Sequence, residues 1–317
     1  MTLPIFDFSA LEFGPPRLAG DLTVLPILGA NGPAAPWLTL SEALAKGVAV
    51  ITEISDGGSV PTLVFRNDGS MPVLLLDGEE LVGAKQNRVL NLTILAPAFT
   101  ELRIPVSCIE QGRWHWRSRH FEAANRTLYA SARAEKMAQV SRSMRVGDGY
   151  RSDQGAIWES IHQKAANFEV TSATGAASDI FDERGNSLDR MVGEIEPLPG
   201  QVGAAFMIRG ELTGVELFGE ANTFARLLPK LIRSYGLDAL DDRAMMRRSR
   251  GRRRTSTTAM SDDVRKLLTM LSQLPALRRP AIGLGEDLRF ETPDTVAAAL
   301  VHDGQVVHLS AFNRVIL

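Results

Sequence analysis

The residues most able to do chemistry fall between Leu74 and Trp116. Lys85, Gln86, Asn87 and Arg88 follow one another, and Cys108, Glu110, Arg113 and Trp114 follow about twenty positions later. Arg and the amides Asn and Gln hold carboxylates, phosphates and bases, Arg through a fork of N–H donors. Glu110 is a candidate acid/base and Cys108 a candidate nucleophile if a base such as His115 or His308 lies close. Lys85, Gln86, Asn87, Arg88, Arg113 and Trp114 are the candidate ligand-binding residues. The cluster supports two readings: a pocket for a ligand, or an internal salt bridge of Arg88 or Arg113 with Glu110 that orders the fold.

Two strands must bring these residues together. From Leu102 to Glu110 the side chains alternate: Leu102, Ile104, Val106 and Cys108 on one face, Glu101, Arg103 and Ser107 on the other. Continuing the alternation places Glu110 at the end of the apolar face, where a carboxylate needs a partner. The preceding strand spans about Arg88 to Leu95, with Pro97 and Ala98 in the connection. Pairing Leu95 with Thr100 predicts Arg88 opposite Ser107, Asn87 opposite Cys108 and Lys85 opposite Glu110.

Around this ribbon the sequence predicts an α+β fold: a mainly antiparallel β-sheet, either a sandwich or a partly open barrel, with helices packed on it from the middle and C-terminal parts. Short β-branched runs separated by turns fill the first third, with Pro26 predicting an edge or bulge. Helical stripes run through Arg126–Met144, through Ile157, Trp158 and Ile161, and from about Asn222, where Pro229 predicts a kink. Residues 170–191 read as a long loop. Ser261 is the predicted cap of an amphipathic helix carrying Val264, Leu267, Leu268, Leu271 and Leu274. Asp303-Gly304 between apolar runs predicts a terminal hairpin.

The chain has 317 residues, 44% hydrophobic and 23% charged, with a net charge of −2. That balance opposes a general affinity for nucleic acid or membrane. One domain over 1–317 is expected, with a basic, Ser/Thr-rich flexible loop at 247–258. The run from Arg247 to Arg254 could bind RNA or phosphates, but acidic Asp238, Asp241, Asp242, Asp262 and Asp263 flank it. The single cysteine suits a reducing compartment. Neither a signal peptide nor an apolar run of about 20 residues is read, so a cytoplasmic protein is expected. Phosphate loops, nucleophile elbows and zinc motifs are missing. His115 and His120 lack further ligands nearby, so no metal site is assigned. Cofactor and oligomeric state are not legible.

The segments DGEELVGAKQNR and IPVSCIEQGRW, the helix of Trp158 and the terminal VVHLSAFNR resemble the domain family associated with ADP-ribosylglycohydrolases and rhodanese/phosphatase proteins. The resemblance runs over most of the chain from about Asp21. It carries no catalytic residue across; it implies a role near NAD or ADP-ribose metabolism. The resulting expectation is a protein whose polar pocket takes a phosphorylated or nucleotide-like small molecule, with a non-catalytic scaffold and an RNA-associated protein as alternatives.

Overall fold

The computed structural model describes residues 8, 10–29, 37–241 and 256–314. Among them lie seven helices: α1 (Leu40–Ala45), α2 (Ala130–Val146), α3 (Gln154–Phe168), α4 (Ala177–Glu183), α5 (Gly185–Glu194), α6 (Ala221–Ala239) and α7 (Thr257–Gln273). The fold is α+β, with mainly antiparallel sheets.

A nine-stranded sheet runs in the order Glu12–Phe13, Leu22–Leu28, Gln201–Ile208, Glu211–Phe218, Gln305–Asn313, Thr295–His302, Glu286–Glu291 and Leu277–Pro280. Arg17–Ala19 shares the outer side of Leu22–Leu28 with Glu12–Phe13. Pro26 falls between the stretches paired by these two edge strands, so its missing N–H leaves no gap in either ladder. One face of this sheet packs Leu25, Met207, Leu217 and Leu309 against Val264, Leu268 and Leu271 of α7. The other face packs Phe206, Phe218 and Phe312 against Phe224, Leu231 and Tyr235 of α6 and Met137 of α2.

The second half of the fold holds a six-stranded sheet in the order Phe121–Thr127, Glu79–Gly83, Arg88–Leu90, Thr100–Cys108, Thr62–Asn67 and Ala49–Glu53. A three-stranded sheet of Ile94–Ala96, Val73–Leu75 and Leu38–Thr39 lies with it. Leu40, Ile51, Phe65, Leu75, Leu90 and Ile104 form their shared core. Leu74, Leu76, Val89 and Ile109 belong instead to the cluster of α2 and α6, so apolar packing is continuous across the two halves.

Several sequence expectations are corrected. The strand expected over Arg88–Leu95 breaks at Asn91–Thr93, and its second piece pairs with Val73–Leu75 rather than with Thr100–Cys108. Asn91 N still donates to Pro105 O at 3.1 Å, but Pro105 has no N–H to return, and Lys136 takes the Asn91 carbonyl at 3.2 Å. The register is one residue off: Cys108 lies opposite Arg88 and Ser107 opposite Val89. The loop expected at 170–191 holds α4 and α5, which bury Ile180, Phe181, Leu188 and Met191. The helix expected from Arg126 begins at Ala130, after strand Phe121–Thr127. Pro229 sits inside an unbroken α6. Ser256, not Ser261, caps α7, its side chain accepting from the Ala259 N–H. Of the basic stretch at 247–258, residues 247–255 lie outside the described residues, while Thr257 opens α7. The terminal hairpin forms as expected, with Asp303 and Gly304 at φ 50° and 73°.

Candidate functional site

The turn between strands Glu79–Gly83 and Arg88–Leu90 is shaped around a guanidinium. Gly83 stands at φ 133° and Ala84 at φ 39°, the latter a conformation few side chains adopt. Both turn their carbonyls onto Arg113, which donates from Nη1 to Ala84 O (2.7 Å) and His115 O (3.2 Å). Its Nη2 donates to Gly83 O (3.2 Å) and Asn87 Oδ1 (3.1 Å). Arg113 Nη2 also pairs with Glu110 Oε2 at 2.7 Å. Glu110 Oε2 accepts from the Asn87 N–H at 3.0 Å, and its Oε1 accepts from Thr174 Oγ1 at 3.0 Å. Gln86 Nε2 donates to Glu110 O at 2.9 Å. The two arms of the ribbon therefore face each other, and the polar residues between them are buried.

Burial alone would raise the Glu110 carboxyl, but Arg113, the Asn87 N–H and Thr174 outweigh it and hold the group below the ordinary value of 4.5. The sign for stability follows. The contribution of the ionised group is complete above pH 4.5 and is lost as pH falls through the lower folded value. Glu110→Gln is expected to cost about 1–3 kcal/mol at pH 7. Denaturant midpoints measured from pH 7 down to 3 should show the gap to wild type closing below pH 4.5; a gap independent of pH would refute the ionised pair.

Cys108 is fully buried. Burial pushes its thiol above the ordinary value of 9.0, so it is protonated at neutral pH. Its backbone is clamped by the first residue of α3: Gln154 Oε1 accepts from Cys108 N at 2.8 Å and Gln154 Nε2 donates to Cys108 O at 2.7 Å. His308 lies elsewhere, between Thr93 and Glu216, and His115 is exposed.

Arg88 differs from Arg113. It is fully buried, donates from Nη1 to Gln86 Oε1 at 2.6 Å, and has no hydrogen bond from Nε or Nη2. Nearby lies Glu53, at the end of strand Ala49–Glu53, with a side chain 1% exposed and no hydrogen bond to either carboxylate oxygen. The two charges stand 3.8 Å apart, beyond hydrogen-bond length. Burial lowers the Arg88 pKa below the ordinary guanidinium value despite Cys108 and Glu53 beside it. Arg133 Nε and Asp77 Oδ2 stand open 3.7 Å apart in the core as well; what sets the Arg88–Glu53 pair apart is its place beside a half-exposed indole.

Trp114 stands beside this pair, and Trp116 flanks it across Lys85. Trp114 is 46% exposed and Trp116 37%. The Arg88 guanidinium lies 5.5 Å from the Trp114 ring, and Lys85 Nζ lies 5.4 and 5.2 Å from Trp114 and Trp116. Arg119 lies 5.2 Å from Trp116. Segment 54–60 completes the cover through Lys85 Nζ, which donates to Gly57 O at 3.0 Å. Gly58, at φ +75°, approaches so closely that a Cβ there would sit 3.3 Å from both Lys85 Cδ and Trp114 Cζ2, and 3.5 Å from Glu53 Oε2.

Sequence reasoning singled out Lys85, Gln86, Asn87, Arg88, Cys108, Glu110, Arg113 and Trp114, and the fold gathers them in one region. It missed Glu53, Thr174 and Gln154, which come from distant segments. It also missed the three acids of Asp77-Gly78-Glu79-Glu80, each buried and paired with a different base: Asp77 with Lys136, Glu79 with Lys230, and Glu80 with Arg126 at 2.5 Å. Beside them Glu216 accepts from Arg133 Nη1 (2.7 Å) and Tyr235 OH (3.1 Å), and pairs with His308 Nε2 at 3.0 Å. The signal was available: three acids flanked by LLL and LVG cannot all reach water from a strand pair. A cavity of about 440 Å³ adjoins Glu110 through Thr174 and is lined by Gly112, His162 and Ser172, and a separate one of about 570 Å³ lies between α2 and α3.

Among the described residues no three His, Cys, Asp or Glu side chains gather as a metal cluster, and no helix is long and apolar enough to cross a membrane. Comparison with curated proteins and with solved structures finds no match. A family model does match, over residues 10–312, described as the ARG and Rhodanese-Phosphatase-superfamily-associated Protein domain. Covering nearly the whole chain, that match shows that the protein belongs to the ARPP-1 family, the domain associated with ADP-ribosylglycohydrolase and rhodanese-phosphatase superfamily proteins.

Proposed function

We propose that this chain binds a nucleotide-like small molecule, in a step linked to ADP-ribose metabolism, at the Glu53–Arg88 pair beneath Trp114. The observation that carries this reading is the open hydrogen-bonding capacity of two buried, opposite charges under a half-exposed indole. Trp114 and Trp116 offer flat faces on which a base can stack. Lys85 and Arg119 put positive charge at the rim, where phosphates of such a ligand would lie. Segment 54–60 has to move aside to admit the ligand, and Gly57 and Gly58 give it the freedom to do so. The family's association with ADP-ribosylglycohydrolase supports the ADP-ribose side of the reading.

In this reading Arg88, Lys85 and Trp114 face the ligand. Gln86, Asn87 and Arg113 hold the turn in place, and Glu110 anchors them. Their hydrogen bonds to backbone carbonyls and to one another, which leave only Arg113 Nε open, favour that bracing role, which is the scaffold reading applied to part of the cluster. Should a reaction occur, Glu110 is an ionised base one hydroxyl away from the 440 Å³ cavity, through Thr174.

Thermal unfolding tests the assignment. ADP-ribose and NAD should raise the midpoint of the wild-type chain, and inorganic phosphate should raise it less. Arg88→Ala should abolish the shift; a full shift in that variant would sink the site. Because Arg88 is buried and its loss could unfold the chain, Trp114→Ala supplies a surface variant. Losing a stacked base costs roughly 1–3 kcal/mol, so at least half the shift should disappear.

A further inference from the structure

Resting on the proposed ligand site, we infer that the Glu53–Arg88 pair recognises a neutral planar edge in which a hydrogen-bond acceptor adjoins a donor. A primary carboxamide on an aromatic ring presents such an edge, and so does the amino edge of an aminopurine.

The two side chains are complementary to such an edge. Arg88 Nε and Nη2 can only donate, and the oxygens of a Glu53 carboxylate can only accept. At 3.8 Å the two side chains do not satisfy each other. An anionic group would suit Arg88 but would be pressed against the Glu53 carboxylate. A cation would suit Glu53 but would meet the guanidinium. Like charges brought together in a buried site cost several kcal/mol. A neutral group whose oxygen or ring nitrogen accepts from Arg88, and whose amino group donates to Glu53, leaves neither side open.

The surroundings fit a flat ligand. Arg88 is held on its other side by Gln86 and lies opposite Cys108 in the ladder, so its open edge is fixed in direction. The Trp114 ring stands 5.5 Å from the guanidinium and supplies a planar wall. At Gly58 the backbone lies directly over Glu53, and any side chain there would press on Trp114 and Lys85. The anionic parts of a larger ligand are left to Lys85 and Arg119 at the rim, away from Glu53.

Calorimetric titration of the full chain tests this with two matched pairs and ADP-ribose alongside. The first pair is nicotinamide and nicotinate, which differ by exchange of the donor NH2 for a negative oxygen. The second is adenosine and purine riboside, which differ by the amino group alone. Losing the donor and leaving Glu53 open should weaken binding at least about tenfold in one pair. A preference in the first pair assigns the carboxamide, and one in the second assigns the aminopurine. No preference in either, with ADP-ribose still binding saturably, overturns the edge and leaves the site reading standing. If ADP-ribose does not bind either, both fall. Glu53→Gln, which keeps the shape and adds a donor, should shrink the observed preference to within about threefold, the remaining amide giving weaker discrimination than the charge. An unchanged preference in a variant with wild-type circular dichroism would also overturn the inference.

Discussion

Glu216→Leu lowers the unfolding free energy by about 3–5 kcal/mol at neutral pH, read from the urea midpoint at constant slope. The substitution leaves Arg133 fully buried with only Asp77 at 3.7 Å, and it strips His308 and Tyr235 of their acceptor. Removing one partner of a buried pair exposes the whole desolvation cost of the other, whereas removing both need not. Arg133→Met combined with Glu216→Leu is therefore expected to be less destabilised than the two single losses added together. The sign of the pH dependence is also set. Burial raises the Glu216 carboxyl, but Arg133 and His308 overcome this and hold it below 4.5. Its contribution is thus complete above pH 4.5 and is lost on acidification through the lower folded value. A loss below about 1 kcal/mol, the range of an exposed pair, would contradict the buried network.

Gly78→Ala is expected to destabilise by about 2–5 kcal/mol, summing a left-handed residue and an overpacked core. Gly78 stands at φ +80°, where a Cβ would lie 2.6 Å from Arg133 Nε and 2.7 Å from its Cδ. Arg133 has little room to yield, since Glu216 holds its head and Phe312 lies 5.1 Å from it. The Gly78 backbone is fixed as well: its N–H donates to Leu90 O at 3.0 Å and its carbonyl accepts from Leu128 N at 2.8 Å. Urea unfolding of the variant checks this. A stability within about 0.5 kcal/mol of wild type, the range of an unconstrained surface change, would mean that the turn and Arg133 are not packed as described.

Some of this was legible from residue order alone. Asp303-Gly304 fixed the terminal hairpin because its two residues both accept positive φ. The stripe Val264, Leu268 and Leu271 placed the buried face of α7. The alternation of Leu102 to Cys108 located the strand that carries the site. What was not legible depended on tertiary capture. The first strand ends early because Pro105, opposite Asn91, has no N–H to donate, and Lys136, 45 positions away, takes the Asn91 carbonyl instead. Helices α4 and α5, of 7 and 10 residues, bury only Ala177, Ile180 and Phe181, and Leu188 and Met191, so their apolar stripes are sparse, and the break at Arg184 hides their continuity. Glu53 looked like the polar end of an ordinary strand. Nothing in its neighbours announces that Arg88, thirty-five positions on, would bury beside it.

The same distinction separates the two guanidinium groups of the ribbon. Arg113 spends its Nη donors on backbone carbonyls, Asn87 and Glu110, so it builds the turn. Arg88 keeps donors open next to an open carboxylate, and the proposed ligand site is placed there for that reason. A crystal structure of the full chain grown with ADP-ribose tests that assignment most directly. The account predicts a planar ring of the ligand against Trp114, a polar group between Arg88 Nη2 and Glu53, and segment 54–60 displaced. Ligand in the cavity between α2 and α3, or beside Thr174, with the Glu53–Arg88 pair still covered, would contradict it.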